Sequence, residues 1–286
     1  MSNVIFNGEY FDDSLININI NNRAFSYGDS LFETIIYKNN EINLWDYHFE
    51  RLEAGMKILG YDYSNHFDNQ LLKSKILYLI QQSGSPKAVR IRLQVWRKPG
   101  GLYTPSNNDI EYCISHTIFD EHVTNRYFNT TKNCVGISDK INLNYSNISS
   151  LKTCNSIPYI VAANEKTQKK WSDIILLDGF GHVAECNSSN IFWWDGEKIF
   201  TPSLQSGCIA GVMRRHLLQV LNTLAIPIKE GLFDVASLMN AKAVFSTNCT
   251  GLKFIDQLIF TEDHFYEPDN RAFAQTDIFK HIKPKI

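Results

Sequence analysis

From Ala88 to Trp96 the side chains alternate: Val89, Ile91, Leu93 and Val95 are apolar, with Arg90, Arg92, Gln94 and Trp96 between them. Successive side chains of an extended strand point to opposite faces, so this period of two predicts a strand with one buried face. Such a strand needs paired neighbours and a layer over its apolar side. Short strands are predicted at Val4 to Phe11, Ile16 to Ile20, Ser30 to Tyr37 and Glu111 to Phe119. A helix fits Asp46 to Leu59, capped by Asp46, with Phe49, Leu52, Met56 and Leu59 on one face and Gly60 at its end. A second helix fits Asn69 to Gln82, stopped by Gly84.

The polar stretch Phe119 to Asn125 divides the chain. Beyond it a helix follows Lys152, and a strand at Asp173 to Leu177 meets a turn at Asp178-Gly179. Strands at Asn190 to Trp194 and Lys198 to Thr201 flank Asp195-Gly196, a hairpin signal. A helix over Val212 to Leu224, strands at Ala243 to Ser246 and Leu252 to Ile255, and a helix over Arg271 to Ile282 complete the pattern. Hairpins mixed with helices predict a mixed α/β or α+β fold rather than a strictly alternating parallel sheet. At 286 residues, two domains are expected, one over 1–119 and a larger one over 120–286.

Lys and Arg number 28 against 30 Asp and Glu, a formal charge of −2. That balance excludes the electrostatic footprint of a nucleic-acid or anionic-membrane binder. Met1-Ser2-Asn3-Val4-Ile5-Phe6 lacks the basic start and apolar block of a secretion signal, and the apolar stretch Ile157 to Ala163 is too short to span a membrane. A cytoplasmic location is therefore expected. Cys113, Cys134, Cys154, Cys186, Cys208 and Cys249 stand singly, which predicts reduced thiols and no structural zinc or other metal site. The glycine-rich nucleotide motifs, HExxH and GxSxG are absent.

Four segments carry chemistry together. They are Tyr27-Gly28-Asp29-Ser30-Leu31-Phe32-Glu33-Thr34 with His48-Phe49-Glu50-Arg51-Leu52; Leu151-Lys152-Thr153-Cys154-Asn155-Ser156; Ala184-Glu185-Cys186-Asn187-Ser188-Ser189-Asn190 with Gly211-Val212-Met213-Arg214; and Ser246-Thr247-Asn248-Cys249-Thr250-Gly251. In this order and spacing, from about residue 3 to about residue 257, the set resembles the class IV aminotransferases, pyridoxal-5′-phosphate enzymes of fold type IV. That family includes branched-chain and D-amino-acid aminotransferases and 4-amino-4-deoxychorismate lyase.

The resemblance implies a small N-terminal α/β domain, a larger C-terminal pseudo-barrel domain, and the cofactor in the cleft between them. It implies that Lys152 is the Schiff-base lysine and proton shuttle, with Glu185 facing the pyridine nitrogen. It also implies that Arg51, the amides of Val212 and Met213, and Asn248 and Cys249 hold the phosphate. The family usually has a hydroxyl residue near Asn248 and Cys249, and Thr250 is placed to supply it. On residues alone, Lys152 reads as a surface lysine at a helix start, Glu185 as a cap or turn residue, and Arg51 as a helix-surface salt-bridge partner; the ordered motif set reverses those readings.

For substrate, Arg90 and Arg92 share one face of their strand and suit a carboxylate, or else form a charged outer sheet face. Tyr27 reaches the site or fills core. Gly100-Gly101-Leu102-Tyr103, after Arg97, predicts a mobile loop above a pocket. Cys154, Cys186 and Cys249 fall near proposed site residues, which predicts sensitivity to thiol reagents.

The expected activity is amino transfer between an amino acid, branched-chain-like or D-, and a 2-oxo acid, by a homodimer acting on small molecules. The alternative is the lyase, which releases pyruvate and 4-aminobenzoate for folate synthesis. Phe32-Glu33-Thr34 lacks the F-E-G-x-R pattern of branched-chain enzymes, and Ala184-Glu185-Cys186, Phe192-Trp193 and Asn248 look lyase-like. Cys154-Asn155-Ser156 lacks the lyase-like run after the lysine and fits an aminotransferase equally.

Overall fold

A computed structural model describes residues 3–63, 67–118, 127–128, 131–261 and 263–285. The chain folds as two compact units, Met1–Val123 with Leu151–Asn155, and Thr124–Ser150 with Ser156–Ile286. The polar stretch expected to divide the chain lies outside the described residues.

The first unit contains β1 (Asn3–Phe6), β2 (Glu9–Asp12), α1 (Arg23–Tyr27), β3 (Ser30–Lys38), β4 (Glu41–Ile42), α2 (Trp45–Leu59), α3 (Asn69–Gln82), β5 (Ala88–Arg97) and β6 (Ile110–Ile118). Its six strands form one sheet in the order β2-β1-β6-β5-β3-β4, every pair antiparallel. The alternation of β5 lands as expected from Val89 to Val95: Val89, Ile91, Leu93 and Val95 are at most 1% exposed, while Arg90 and Arg92 face outward; it ends at Trp96, which is buried. The buried face packs into a core with Leu52 and Met56 of α2 and Leu72 and Ile76 of α3.

Three local expectations change. The single strand over Val4 to Phe11 is a hairpin, because Asn7 and Gly8 take positive φ of 49° and 90°. That is the two-residue turn an Asn-Gly pair favours. Ile16 to Ile20 forms no strand, and Leu15, Ile18 and Ile20 stay exposed. Alternation without a neighbour to pair with does not make a strand. Asp46 lies in the first turn of α2 rather than capping it; the cap is Leu44, in the left-handed region.

The second unit contains β7 (Cys134–Leu143), α4 (Ile157–Gln168), β8 (Asp173–Asp178), β9 (Val183–Cys186), β10 (Asn190–Trp194), β11 (Ile199–Pro202), α5 (Val212–Thr223), β12 (Ile228–Gly231), α6 (Ala236–Met239), β13 (Ala243–Asn248), β14 (Gly251–Phe254), β15 (Gln257–Thr261), β16 (His264–Tyr266), α7 (Asn270–Gln275) and α8 (Asp277–Ile282). Two five-stranded sheets run β12-β11-β10-β13-β14 and β16-β15-β7-β8-β9. The pairs β11–β12, β15–β7 and β7–β8 are parallel and the rest antiparallel, so the fold is mixed α/β.

Strand β7 escapes the pattern because Ser138, Asp139 and Lys140 interrupt its apolar run. The buried Glu165 of α4 answers that polarity, accepting from the Ser138 hydroxyl at 2.7 Å and the Asp139 amide at 3.3 Å. The expected last helix is broken at Thr276, whose backbone is extended and whose hydroxyl caps α8.

Candidate active site

Lys152 lies on the short segment that belongs to the first unit. Its carbonyl accepts from the Phe32 amide at 2.9 Å, and the Cys154 amide donates to Ser30 at 3.0 Å, so the segment is stitched to the start of β3. The half-buried Lys152 places its Nζ 4.6 Å from the Phe32 ring centre. The Arg92 guanidinium lies 4.1 Å from the same ring centre and approaches the Cys154 sulfur at 4.0 Å. One aromatic ring thus lies against both the Lys152 amine and the Arg92 guanidinium.

Glu33 points to the opposite face of β3, between Leu31 and Ile35, and is 1% exposed. Arg51 grips it bidentately, Nε to Oε1 at 2.7 Å and Nη2 to Oε2 at 2.5 Å, and His48 Nδ1 lies 2.6 Å from Oε2. Burial alone would raise the Glu33 pKa; Arg51 and then His48 outweigh it and hold the carboxyl down at about 2.

The glycine loop is pinned, not loose. Arg23 Nη1 donates to the carbonyls of Gly100, Gly101 and Leu102 at 3.1, 3.4 and 2.6 Å. Asp29 anchors that arginine at 2.8 Å and accepts from Arg97 and the Tyr61 hydroxyl at 3.0 Å each. Tyr27 is neither core nor enclosed: it is 41% exposed, 5.0 Å from the Arg23 guanidinium and 5.6 Å from the Tyr103 ring.

In the second unit Glu185 stands on β9 and is 3% exposed. The Tyr159 hydroxyl donates to Oε1 at 2.7 Å, the Ile209 amide to Oε1 at 3.2 Å, and Asn190 Nδ2 to Oε2 at 3.2 Å. Burial, and then the Glu185 charge, push the Tyr159 phenol well above its ordinary pKa, so it stays a proton donor. Asn190 also donates to the Ile209 carbonyl at 2.9 Å, which brings Glu185 close to the start of α5. That start is Gly211, with no side-chain cap on the first-turn amides of Val212 and Met213. A Cβ on Gly211 would lie 1.9 Å from Asn190 Oδ1.

Asn248 is committed to its turn: Oδ1 accepts from the Thr250 amide and hydroxyl at 2.9 and 2.7 Å, and Nδ2 donates to Ser188 at 3.3 Å. The expectation for Cys186 as a reactive thiol is corrected. It is fully buried, and burial, then Asp173 and Glu185, raise its pKa well above the ordinary value. Among the described residues no cluster of His, Cys, Asp or Glu could hold a metal ion. Sequence reasoning missed Tyr159 and the Glu33–His48 pair. The available signal was Glu33 itself, a charge on the buried side of an alternating strand.

The family model "Amino-transferase class IV" matches residues 30–255. The chain belongs to the class IV aminotransferases. It is 26% identical to the aminodeoxychorismate lyase of Vibrio harveyi over 236 residues, covering 80% of this chain and 82% of that protein. It is also 26% identical to the aminodeoxychorismate lyase of Bacillus subtilis over 248 residues, covering 86% of this chain and 82% of that one. Among solved structures, the branched-chain aminotransferase of Thermoproteus uzoniensis with norvaline superposes with a TM-score of 0.80 at 20% identity, covering 99% of this chain and 94% of that chain. This class IV chain therefore shares that enzyme's fold.

Proposed function

We propose that the chain is a pyridoxal-5′-phosphate-dependent 4-amino-4-deoxychorismate lyase, converting its substrate to 4-aminobenzoate and pyruvate. The observation that carries this reading is the grouping of Lys152 and Arg92 on Phe32, with Arg90 two residues along the same open face of β5. Arg92 beside the reacting amine, with Arg90 further along the same strand face, suits a substrate with two carboxylates. Likeness to two curated lyases over at least four-fifths of the chain supports it. Amino transfer, which the sequence put first, is the second reading, favoured by Cys154-Asn155-Ser156 after the lysine.

The donor set fits the cofactor. Glu185 offers a buried, oriented carboxylate to a pyridine nitrogen. The α5 start, where Gly211 leaves backbone amides without a side-chain cap, suits a phosphate. In the first unit, Arg51 is the guanidinium that the family resemblance assigns to the phosphate. When bound, pyridoxal 5′-phosphate supplies an electron sink for negative charge at the substrate carbon bearing the amine. Lys152 takes the proton from that carbon and returns it to the enolpyruvyl methylene as the ring–oxygen bond breaks and pyruvate leaves. Arg92 and Arg90 hold the carboxylates, and Phe32 keeps water from the lysine.

We also place the enzyme as a homodimer in the cytoplasm. Phe25, Leu102 and Tyr103, at 74%, 74% and 91% exposed, are apolar surface that a second copy would cover. Among the described residues no helix is long and apolar enough to cross a membrane. Two assays test the activity: pyruvate release from 4-amino-4-deoxychorismate, and amino transfer from L- and D-amino acids to 2-oxoglutarate. Pyruvate without transfer is expected; transfer without pyruvate overturns the lyase reading. Borohydride reduction should leave a pyridoxyl mass on Lys152, and an unlabelled Lys152 overturns the cofactor reading.

A further inference from the structure

The geometry points to Glu33 and His48 as positioning residues that fix the Arg51 guanidinium for the cofactor phosphate. This rests on the reading above that Arg51 binds that phosphate. Glu33 sits on the core-facing side of β3, where a carboxylate is costly unless fully engaged. His48 and Arg51, three residues apart on one face of α2, both reach it. The side chains of Glu33, His48 and Arg51 are 1%, 4% and 12% exposed, so the arginine is the most open of the three. A bidentate carboxylate sets the plane and the tilt of a guanidinium, which a single contact does not. Arg51 is thereby ordered before any ligand arrives, and rotamer freedom is not lost on binding.

An opposing effect makes the inference sharp. Glu33 is negative and would, by charge alone, weaken phosphate binding at Arg51. If charge governed, Glu33→Gln would tighten the phosphate; if orientation governs, it loosens it.

The test compares dissociation constants for pyridoxal 5′-phosphate and for pyridoxal, which lacks the phosphate, on the full chain by equilibrium dialysis. The ratio of the pyridoxal constant to the pyridoxal-phosphate constant isolates the phosphate contribution. E33Q is expected to lower that ratio about tenfold, the scale of one charge-assisted hydrogen bond lost, with pyridoxal affinity unchanged. H48Q should lower it in the same direction and serves alone should E33Q not fold. Arg51→Gln should lower it further. An R51Q protein that keeps the wild-type ratio refutes the assignment of Arg51 to phosphate. If R51Q loses the ratio while E33Q and H48Q keep or raise it, the positioning role is refuted. Equal loss for both ligands marks Glu33 and His48 as merely structural and also overturns it.

Discussion

The Glu33 carboxylate makes stability depend on pH in a calculable way. Its pKa falls from an ordinary 4.5 to about 2 in the folded chain, against the push of burial and because of Arg51 and His48. In full, that preference for the ionised form contributes about 3 kcal/mol to the folded state. The group's folded pKa is depressed, so the contribution is complete above the unfolded value near 4.5 and drains as pH falls toward 2. By about pH 3.5 roughly 1.4 kcal/mol is gone, a tenfold change in the folding constant. Other carboxylates with lowered pKa, Asp29 and Asp178 among them, titrate in the same range, so wild type alone does not isolate the effect. Glu33→Gln does, because it cannot ionise. Hydrogen exchange at the buried Ile35 and Ile36 amides of β3 reports the opening of the first unit without involving the second. The stability gap between wild type and E33Q should narrow by about 1.4 kcal/mol between about pH 6 and about pH 3.5. Parallel curves with a constant gap would mean that Glu33 titrates near its ordinary value and that Arg51 and His48 do not dominate it.

Three further outcomes are expected. Gly211→Ala puts a Cβ against Asn190 Oδ1, so it should destabilise the second unit by about 1–3 kcal/mol, and Asn190→Ala in the same chain should relieve part of that loss; strictly additive effects in denaturant titrations contradict the clash. Tyr159→Phe removes a donor from the buried Glu185 carboxylate and should cost about 1.5–3 kcal/mol by the same measurement, with wild-type stability counting against the contact. Peptide mapping after iodoacetamide at neutral pH should find Cys186 and Cys208 unmodified, since both are buried and burial raises both pKa values, Cys208 to about 11; labelling of either in folded protein refutes that.

What the sequence makes legible is whatever depends on neighbours along the chain. The β5 alternation, the α2 stripe ending at Gly60 and the Asp195-Gly196 turn all appear where local pattern puts them. What fails depends on partners far away. Ile16 to Ile20 alternates as a strand should, yet nothing pairs with it. β7 looks interrupted until Glu165, distant in sequence, satisfies Ser138 and Asp139. The glycine loop looks free until three of its carbonyls meet Arg23, dozens of residues earlier. The site divides in the same way. Lys152, Glu185 and Arg51 stand out as motif members, whereas Tyr159 looks like any helix tyrosine until its hydroxyl meets Glu185.

The two buried glutamates show how the same residue type is set to different tasks. Glu33 is held by Arg51 and His48, and the bidentate contact sets the plane of the Arg51 guanidinium. Glu185 is held by a phenol, a carboxamide and a backbone amide, all neutral. Neutral donors fix a carboxylate's direction and lower the cost of burying it without cancelling its charge. A carboxylate prepared in that way still attracts a proton-bearing ring nitrogen, which is what a pyridine cofactor requires of it. On the proposed roles, exchanging the two environments would undo both: a cation beside Glu185 would compete with the pyridinium, and neutral donors around Glu33 would leave Arg51 without a fixed plane. The proposed roles of Glu185 at the ring nitrogen and of Arg51 at the phosphate both lean on one physical distinction, the charge of the groups that satisfy each carboxylate.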